Sequence, residues 1–187
     1  QNVWQAILDQ VITVTGGKFA NLMLLNKAGD KLAVTAAWPS YKLEKIQREW
    51  GDFPLDGPGI TVRAVRDNQA TLIPDVSKDS YYINVIGEDI GSELVVILRE
   101  GGNRDGKPIG VLNVEHPEVG GLNEEHRQLL IVLSNLAVVA LQNVKRYQEL
   151  EMVRKNSLAS EAVAWLGLFG ADWQHTINQK AFSINTY

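Results

Sequence analysis

The 187-residue chain contains no cysteine. That excludes disulfides, thiolate metal sites and cysteine nucleophiles together. It has no cluster of basic residues either: 18 Lys and Arg stand dispersed against 22 Asp and Glu, for a net charge of −4. Nucleic acid is therefore not expected as the main partner. No hydrophobic run is long enough for a bilayer. The longest, Leu129 to Leu141, is interrupted by Ser134 and Asn135, where about 20 apolar residues are needed. No signal peptide is visible, and the chain begins at Gln1 rather than Met, as a fragment or processed product does. Gly57-Pro58-Gly59 lacks the Lys-Ser/Thr and the preceding strand of a phosphate loop, so it reads as a helix-initiating turn. What is present is hydrophobic content of 45%, enough for a genuine core. The expectation is a cytoplasmic, acidic globular domain with an appendage.

Periodicity places the elements. Val3, Trp4, Ile7, Leu8, Val11 and Ile12 recur at helical spacing, which predicts an amphipathic helix over 2–14 ended by Gly16-Gly17. Phe19 to Leu25 and Leu32 to Ala37 read as strands joined by the turn chemistry of Asn26 to Lys31. Leu43, Ile46 and Trp50 mark a short helix with Trp50 expected in the core, and Ile60 to Asp67 mark another. Leu94 to Leu98 and Ile109 to Val114 are strands rich in Val, Ile and Leu, linked by a turn-rich 101–106. The total is about five or six mostly antiparallel strands framed by helices.

Asn123 is a plausible N-cap, with Glu124 and Glu125 where the helix dipole favours negative charge. Leu129, Leu133, Leu136, Ala140, Val144, Tyr147 and Leu150 then recur every three or four residues, and no Gly or Pro interrupts the chain from Asn123 to Leu166. A helix of about 40 residues would reach roughly 60 Å. Such a length suits a coiled coil or connector, and its thin apolar seam (Tyr147, Leu150, Val153, Leu158) predicts self-pairing into a homodimer.

Taken in order, Gly57-Pro58-Gly59-Ile60, Leu72-Ile73-Pro74-Asp75-Val76, Ser92 to Val96, Pro108 to Glu115 and Leu122-Asn123-Glu124-Glu125 resemble a GAF domain over about residues 1–150. The resemblance implies an α+β fold: a central antiparallel sheet with the terminal helices on one face. A small-molecule pocket would lie on the other, closed by the short helices and the loops around residues 40–92. It also implies sensing of a small molecule whose identity the sequence leaves unknown. Covalent bilin attachment and sulfoxide reduction in that family use cysteines, and this chain has none. The Asn-Lys…Phe…Asp-Glu pattern of the cyclic-nucleotide branch is unmatched.

Candidate ligand-binding residues are Trp38, Asp75, Tyr81 and Tyr82. Trp38 could pack in the core or rim instead, and Asp75 could be a turn or cap carboxylate. Tyr81 and Tyr82 could stack on a planar ligand or simply plug the pocket. His116 and His126 stand apart, so no metal site is expected. Beyond residue 150, Leu166-Gly167, Phe169, Trp173 and His175-Thr176-Ile177-Asn178 resemble the first dimerisation helix of sensor histidine kinases. That resemblance makes His175 a candidate phosphoacceptor, because imidazole is a nucleophile titrating near neutral pH. Thr176 stands where that family usually has an acidic residue, and Gln179-Lys180 where it usually has Asn-Pro. An amphipathic dimer helix with an incidental histidine is the competing reading.

The expected organisation is a sensor domain at 1–150 and, at 151–187, a helical linker that begins a kinase-like dimerisation helix. The expected function is small-molecule sensing for a signal-transduction protein, without enzymatic activity in this chain and with a downstream kinase or other output domain as partner. A ligand-free dimerisation module, or the input domain of a transcription regulator or cyclase, is the alternative.

Overall fold

The computed structural model describes the backbone of residues 3–184 and the side chains of residues 3–140, 142, 143 and 146–161. The chain divides into two units, Gln1–Gln142 and Asn143–Tyr187.

In the first unit, α1 (Val3–Thr15) leads into the hairpin β1 (Phe19–Leu25) and β2 (Lys31–Trp38). Then come α2 (Lys42–Trp50), β3 (Phe53–Pro54), α3 (Ile60–Arg66) and β4 (Thr71–Ile73). The hairpin β5 (Ser92–Arg99) and β6 (Pro108–His116) precedes the start of α4 (Glu124–Ile184). The strands form one antiparallel sheet in the order β3-β2-β1-β6-β5-β4. The two hairpins therefore meet along β1 and β6, at the centre. Gly110 makes that meeting possible: a Cβ there would stand 2.1 Å from the Met23 carbonyl oxygen, so a side chain would force the strands apart.

Alternation along the central strands sorts side chains into two cores. Ala20, Leu22, Leu94, Val96, Leu98, Leu112 and Val114 point to one face, where Trp4, Leu8 and Val11 of α1 and Leu130 and Val138 of α4 cover them. Phe19, Met23, Val95, Ile97 and Val111 point to the other, against Ile46 of α2 and Ile60, Val62, Ala64 and Val65 of α3. Between Leu22 and Met23 the register on β2 slips by one, leaving Thr35 unpaired. The bulge lets Ala36 face the α1 side while Val34 faces the α2 side. Each Leu or Val buried this way contributes about 1.5–3 kcal/mol.

The α4 N-terminus is capped as its sequence predicts: the Asn123 Oδ1 accepts from the backbone N–H groups of Glu125 (3.0 Å) and His126 (3.1 Å). Within the first unit α4 carries two apolar stripes. Leu130, Ser134, Ala137 and Val138 are buried, whereas Leu129, Val132, Leu136 and Val139 are exposed. The predicted seam through Leu129 and Leu136 is thus the outer one. Trp50 also departs from expectation. It is the last residue of α2, is 42% exposed and stacks on Phe53 with centroids 6.3 Å apart.

The second unit is helical through Ile184, continuing across Gly167 and Gly170. Its Tyr147, Leu150, Met152, Val153 and Leu158 are all exposed. The side chains of Leu166, Phe169, Trp173, His175 and Ile177 lie outside the described residues.

Candidate functional site

The sheet face turned away from α1 and α4 is not apolar throughout. At its centre, period-two alternation places Asn21 of β1, Asn113 and Glu115 of β6, and Glu93 of β5 on the side of α2 and α3. Cross-strand pairing sets Asn21 opposite Asn113 and Glu93 opposite Glu115. All four are buried. They floor a cavity walled by Met23, Val34, Ile46, Phe53, Ile60 and Val85, with Gly59, Thr61 and Ile83 also lining it. The cavity is about 30 Å³, room for roughly two water-sized groups.

The irregular segment from Asp79 to Gly91 covers this cavity, contributing Ile83 and Val85 to its wall. Two charged latches hold the segment. The Arg63 guanidinium of α3 donates to both Asp79 carboxylate oxygens, at 3.1 and 2.6 Å. Glu88 accepts from Lys42 of α2 and pairs with Lys18 at 3.0 Å. These partners hold the Asp79 and Glu88 carboxyls below the usual carboxylate range. Inside the segment, Asn84 donates to the Glu88 carbonyl at 2.9 Å and accepts from Gly87 N–H at 2.8 Å.

Burial dominates the electrostatics of the floor. It pushes the Glu115 carboxyl up to about 8, against the opposing effect of an Asn113 Nδ2 hydrogen bond to Glu115 Oε1 at 3.4 Å. Burial also raises Glu93 well above its usual value, with the facing Glu115 and then Asp79 adding to the effect. Two carboxyls opposite one another in low dielectric cannot both ionise cheaply. Among the described residues four buried polar side-chain atoms have no hydrogen-bond partner: Asn21 Oδ1, Asn113 Oδ1, Glu115 Oε2 and the Tyr82 hydroxyl. Each such orphan costs about 1–3 kcal/mol.

The candidates read from sequence are not brought together. Trp38 packs against the cluster under α1 and α4, on the face opposite the cavity. Asp75 caps the 3-10 turn Val76–Lys78: its Oδ1 accepts from Ser77 Oγ (2.6 Å) and Ser77 N–H (3.2 Å), and it pairs with Lys78 at 2.9 Å. Those Ser77 and Lys78 contacts lower its pKa. Tyr81 is 37% exposed, and its ring lies under the guanidinium groups of Arg63 (4.9 Å) and Arg66 (5.6 Å). Tyr82 alone belongs to the site's surroundings. It is half-buried against the α2–α3 core, and burial, then Glu115 and Glu93, raise its hydroxyl pKa. His116 Nδ1 accepts from Glu118 N–H, and His126 Nδ1 from Asn123 N–H. Among the described residues no group of three or more His, Asp or Glu could hold a metal ion, and no helix is long and apolar enough to cross a membrane. Sequence reasoning missed Asn21, Glu93, Asn113 and Glu115 as site residues. The signal was there: a lone Asn21 in β1, Glu93 in β5, and Asn113 and Glu115 two apart in β6 interrupt otherwise apolar central strands.

The chain belongs to the GAF domain family, whose profile matches residues 1–142. GAF domains are sensory input modules of signalling proteins. Similar solved structures include the GAF domain of an Acinetobacter phosphoenolpyruvate-protein phosphotransferase (TM-score 0.62, 16% identity, covering 78% of this chain and 84% of that one). Free methionine-R-sulfoxide reductase from Neisseria meningitidis, solved with its substrate, superposes with TM-score 0.60 at 17% identity over 78% of this chain and 81% of that one. A domain assigned to a two-component sensor histidine kinase protein of Sinorhizobium meliloti gives TM-score 0.59 at 17% identity, over 80% and 95%. At these identities the likeness establishes the fold. Comparison with curated proteins finds no match.

Proposed function

We propose that this chain is the small-molecule-sensing input domain of a cytoplasmic signal-transduction protein, and that it works as a homodimer through its helices without catalysing a reaction itself. The covered cavity carries this reading: it has buried, unpartnered polar atoms on its floor and a latched segment over it. A ligand that satisfies those atoms would favour the covered state by its difference in affinity for the covered and open states. The resulting shift in sheet packing would reach α4, whose buried residues Leu130 and Val138 rest on the other side of the same sheet.

Pairing is supported by the outer stripe Leu129, Val132, Leu136 and Val139 and, in the second unit, by exposed Tyr147, Leu150, Val153 and Leu158. A sensor histidine kinase is the favoured parent, with His175 as phosphoacceptor in the 151–187 region. The support is the resemblance around Leu166-Gly167 and His175, together with the Sinorhizobium neighbour's title. The ligand-free dimerisation module remains the second reading, because Tyr82 and the covering segment fill much of the face a larger ligand would need.

A thermal-melt screen of the purified chain against a metabolite panel tests the sensor reading. At least one compound should raise the melting temperature in a saturable way, and a Val85→Phe variant that fills the cavity should abolish that rise. A panel without a hit favours the ligand-free module. Acid-labile label from ATP on the intact parent, lost in His175→Gln, tests the kinase assignment.

A further inference from the structure

We propose that the cavity takes a compact cation rich in N–H donors, an alkylammonium or amidinium group, held between Glu93 and Glu115 with the side-chain carbonyls of Asn21 and Asn113. The proposal rests on the sensor reading above and narrows its ligand class.

The unpartnered floor atoms are of one kind. Asn21 Oδ1 and Asn113 Oδ1 are acceptors, as is Glu115 Oε2 once its carboxyl has lost its proton, each on a side chain more than nine-tenths buried and lining the cavity. The Asn113 amide nitrogen is already spent on Glu115 Oε1. An acceptor-only ligand would leave these oxygens unsatisfied; a donor would satisfy them.

Charge points the same way. The cavity lining includes no Lys, Arg or His among the described residues. The neighbouring cations are engaged elsewhere: Lys42 and Lys18 on Glu88, and Arg63 on Asp79. An anion entering here would meet no free counter-charge, whereas a cation would balance the negative charge that the pair gains when it loses a proton. The planar fork of an amidinium matches a carboxylate bidentately. The size of the space leaves no room for a nucleotide or a tetrapyrrole. Met23, Val34, Ile46 and Ile60 would cover a short aliphatic stem.

The test is a titration of the full chain, with 15N-labelled asparagine, using acetamidinium and methylammonium chloride. Tetramethylammonium, a cation without donors, and sodium acetate serve as comparisons. The side-chain amide signals of Asn21 and Asn113 should shift saturably with acetamidinium or methylammonium and not with tetramethylammonium. Glu115→Gln and Glu93→Gln, which keep side-chain shape, should each weaken binding by roughly tenfold or more.

A wild-type pH series keeps the question open to measurement if either variant fails to fold. The groups facing the pair are Asp79 and Arg63 beside Glu93, Glu88 and Lys42 beside Glu115, and the Tyr82 hydroxyl. Asp79 and Glu88 are ionised throughout the neutral range. Acetamidinium affinity should therefore rise towards pH 8 as the carboxyl pair loses its proton. An affinity flat or falling with pH overturns the proposal. Saturable shifts with acetate but not with the cations overturn it while leaving the sensor reading intact. No shift with any of the four salts also overturns it, and the sensor reading falls as well only if the metabolite screen is empty.

Discussion

Glu115 makes the stability of this domain depend on pH in an unusual direction. In the unfolded chain its carboxyl titrates at the ordinary 4.5, and in the folded protein burial moves it to about 8. Between those values the folded state holds a proton that the unfolded chain has released. Raising the pH therefore draws the equilibrium towards unfolding, by about 1.4 kcal/mol per pH unit for one such group. Across the whole interval the loss is about 5 kcal/mol from Glu115 alone, comparable to the entire stability of a small domain. Glu93, raised in the same direction by burial and by Glu115, steepens the fall. The carboxylates with lowered pKa values (Asp75, Asp79, Glu88 and Glu124) act in the opposite sense, but below their ordinary values, so they do not compensate in this window. Urea unfolding followed by near-ultraviolet circular dichroism at a series of pH values between about 5 and 8 measures the effect. Wild-type stability should fall steadily over that range. Glu115→Gln, which mimics the protonated carboxyl, should flatten the curve and stand well above wild type at its alkaline end. A wild-type curve that is flat or rises with pH would show that the pair ionises without penalty, and the account of the buried floor would be wrong.

Further outcomes can be measured independently. Light scattering should give twice the 20.7 kDa chain mass, and Leu136→Glu, on the exposed stripe of α4, should shift the chain towards monomer with little change in its melting temperature; a wild-type monomer at tens of micromolar refutes the pairing. Gly110→Val should cost about 3 kcal/mol or more, since its side chain would meet the Met23 carbonyl at the junction of the two hairpins; an unchanged urea midpoint would contradict that close approach. Glu88→Gln should speed amide hydrogen exchange in residues 79–91 a few-fold while leaving β5 and β6 protected, because it releases only the surface latch to Lys42 and Lys18. Equal acceleration across the sheet would mean that the segment is part of the global core.

Local rules were enough for most of the fold. Gly16-Gly17 after an amphipathic run, the turn at 26–31, the Val-Ile-Leu strands and the Asn123 cap each settle their own element, because hydrogen bonding and steric preference act within a few residues. The order of short motifs along residues 57–150 was likewise legible as a GAF domain. Side-chain placement was less so. Trp50 carries the composition of a core residue, yet as the last residue of α2 it stacks on half-buried Phe53 and stays 42% exposed. Asp75 and Tyr81, chosen for their chemistry, are consumed locally by Ser77, Lys78, Arg63 and Arg66.

The candidate site belongs to the tertiary structure. Asn21 lies more than seventy positions before Glu93 in the chain, and only the pairing of β1 and β5 to either side of β6 brings them over one cavity. Sequence determines that a strand alternates faces. It does not determine which face receives α1 and α4 and which is left to α2, α3 and a latched loop. That choice follows from how two hairpins and four helices bury the most apolar surface together. It converts four polar residues in apolar strands from an apparent defect into the floor of one cavity.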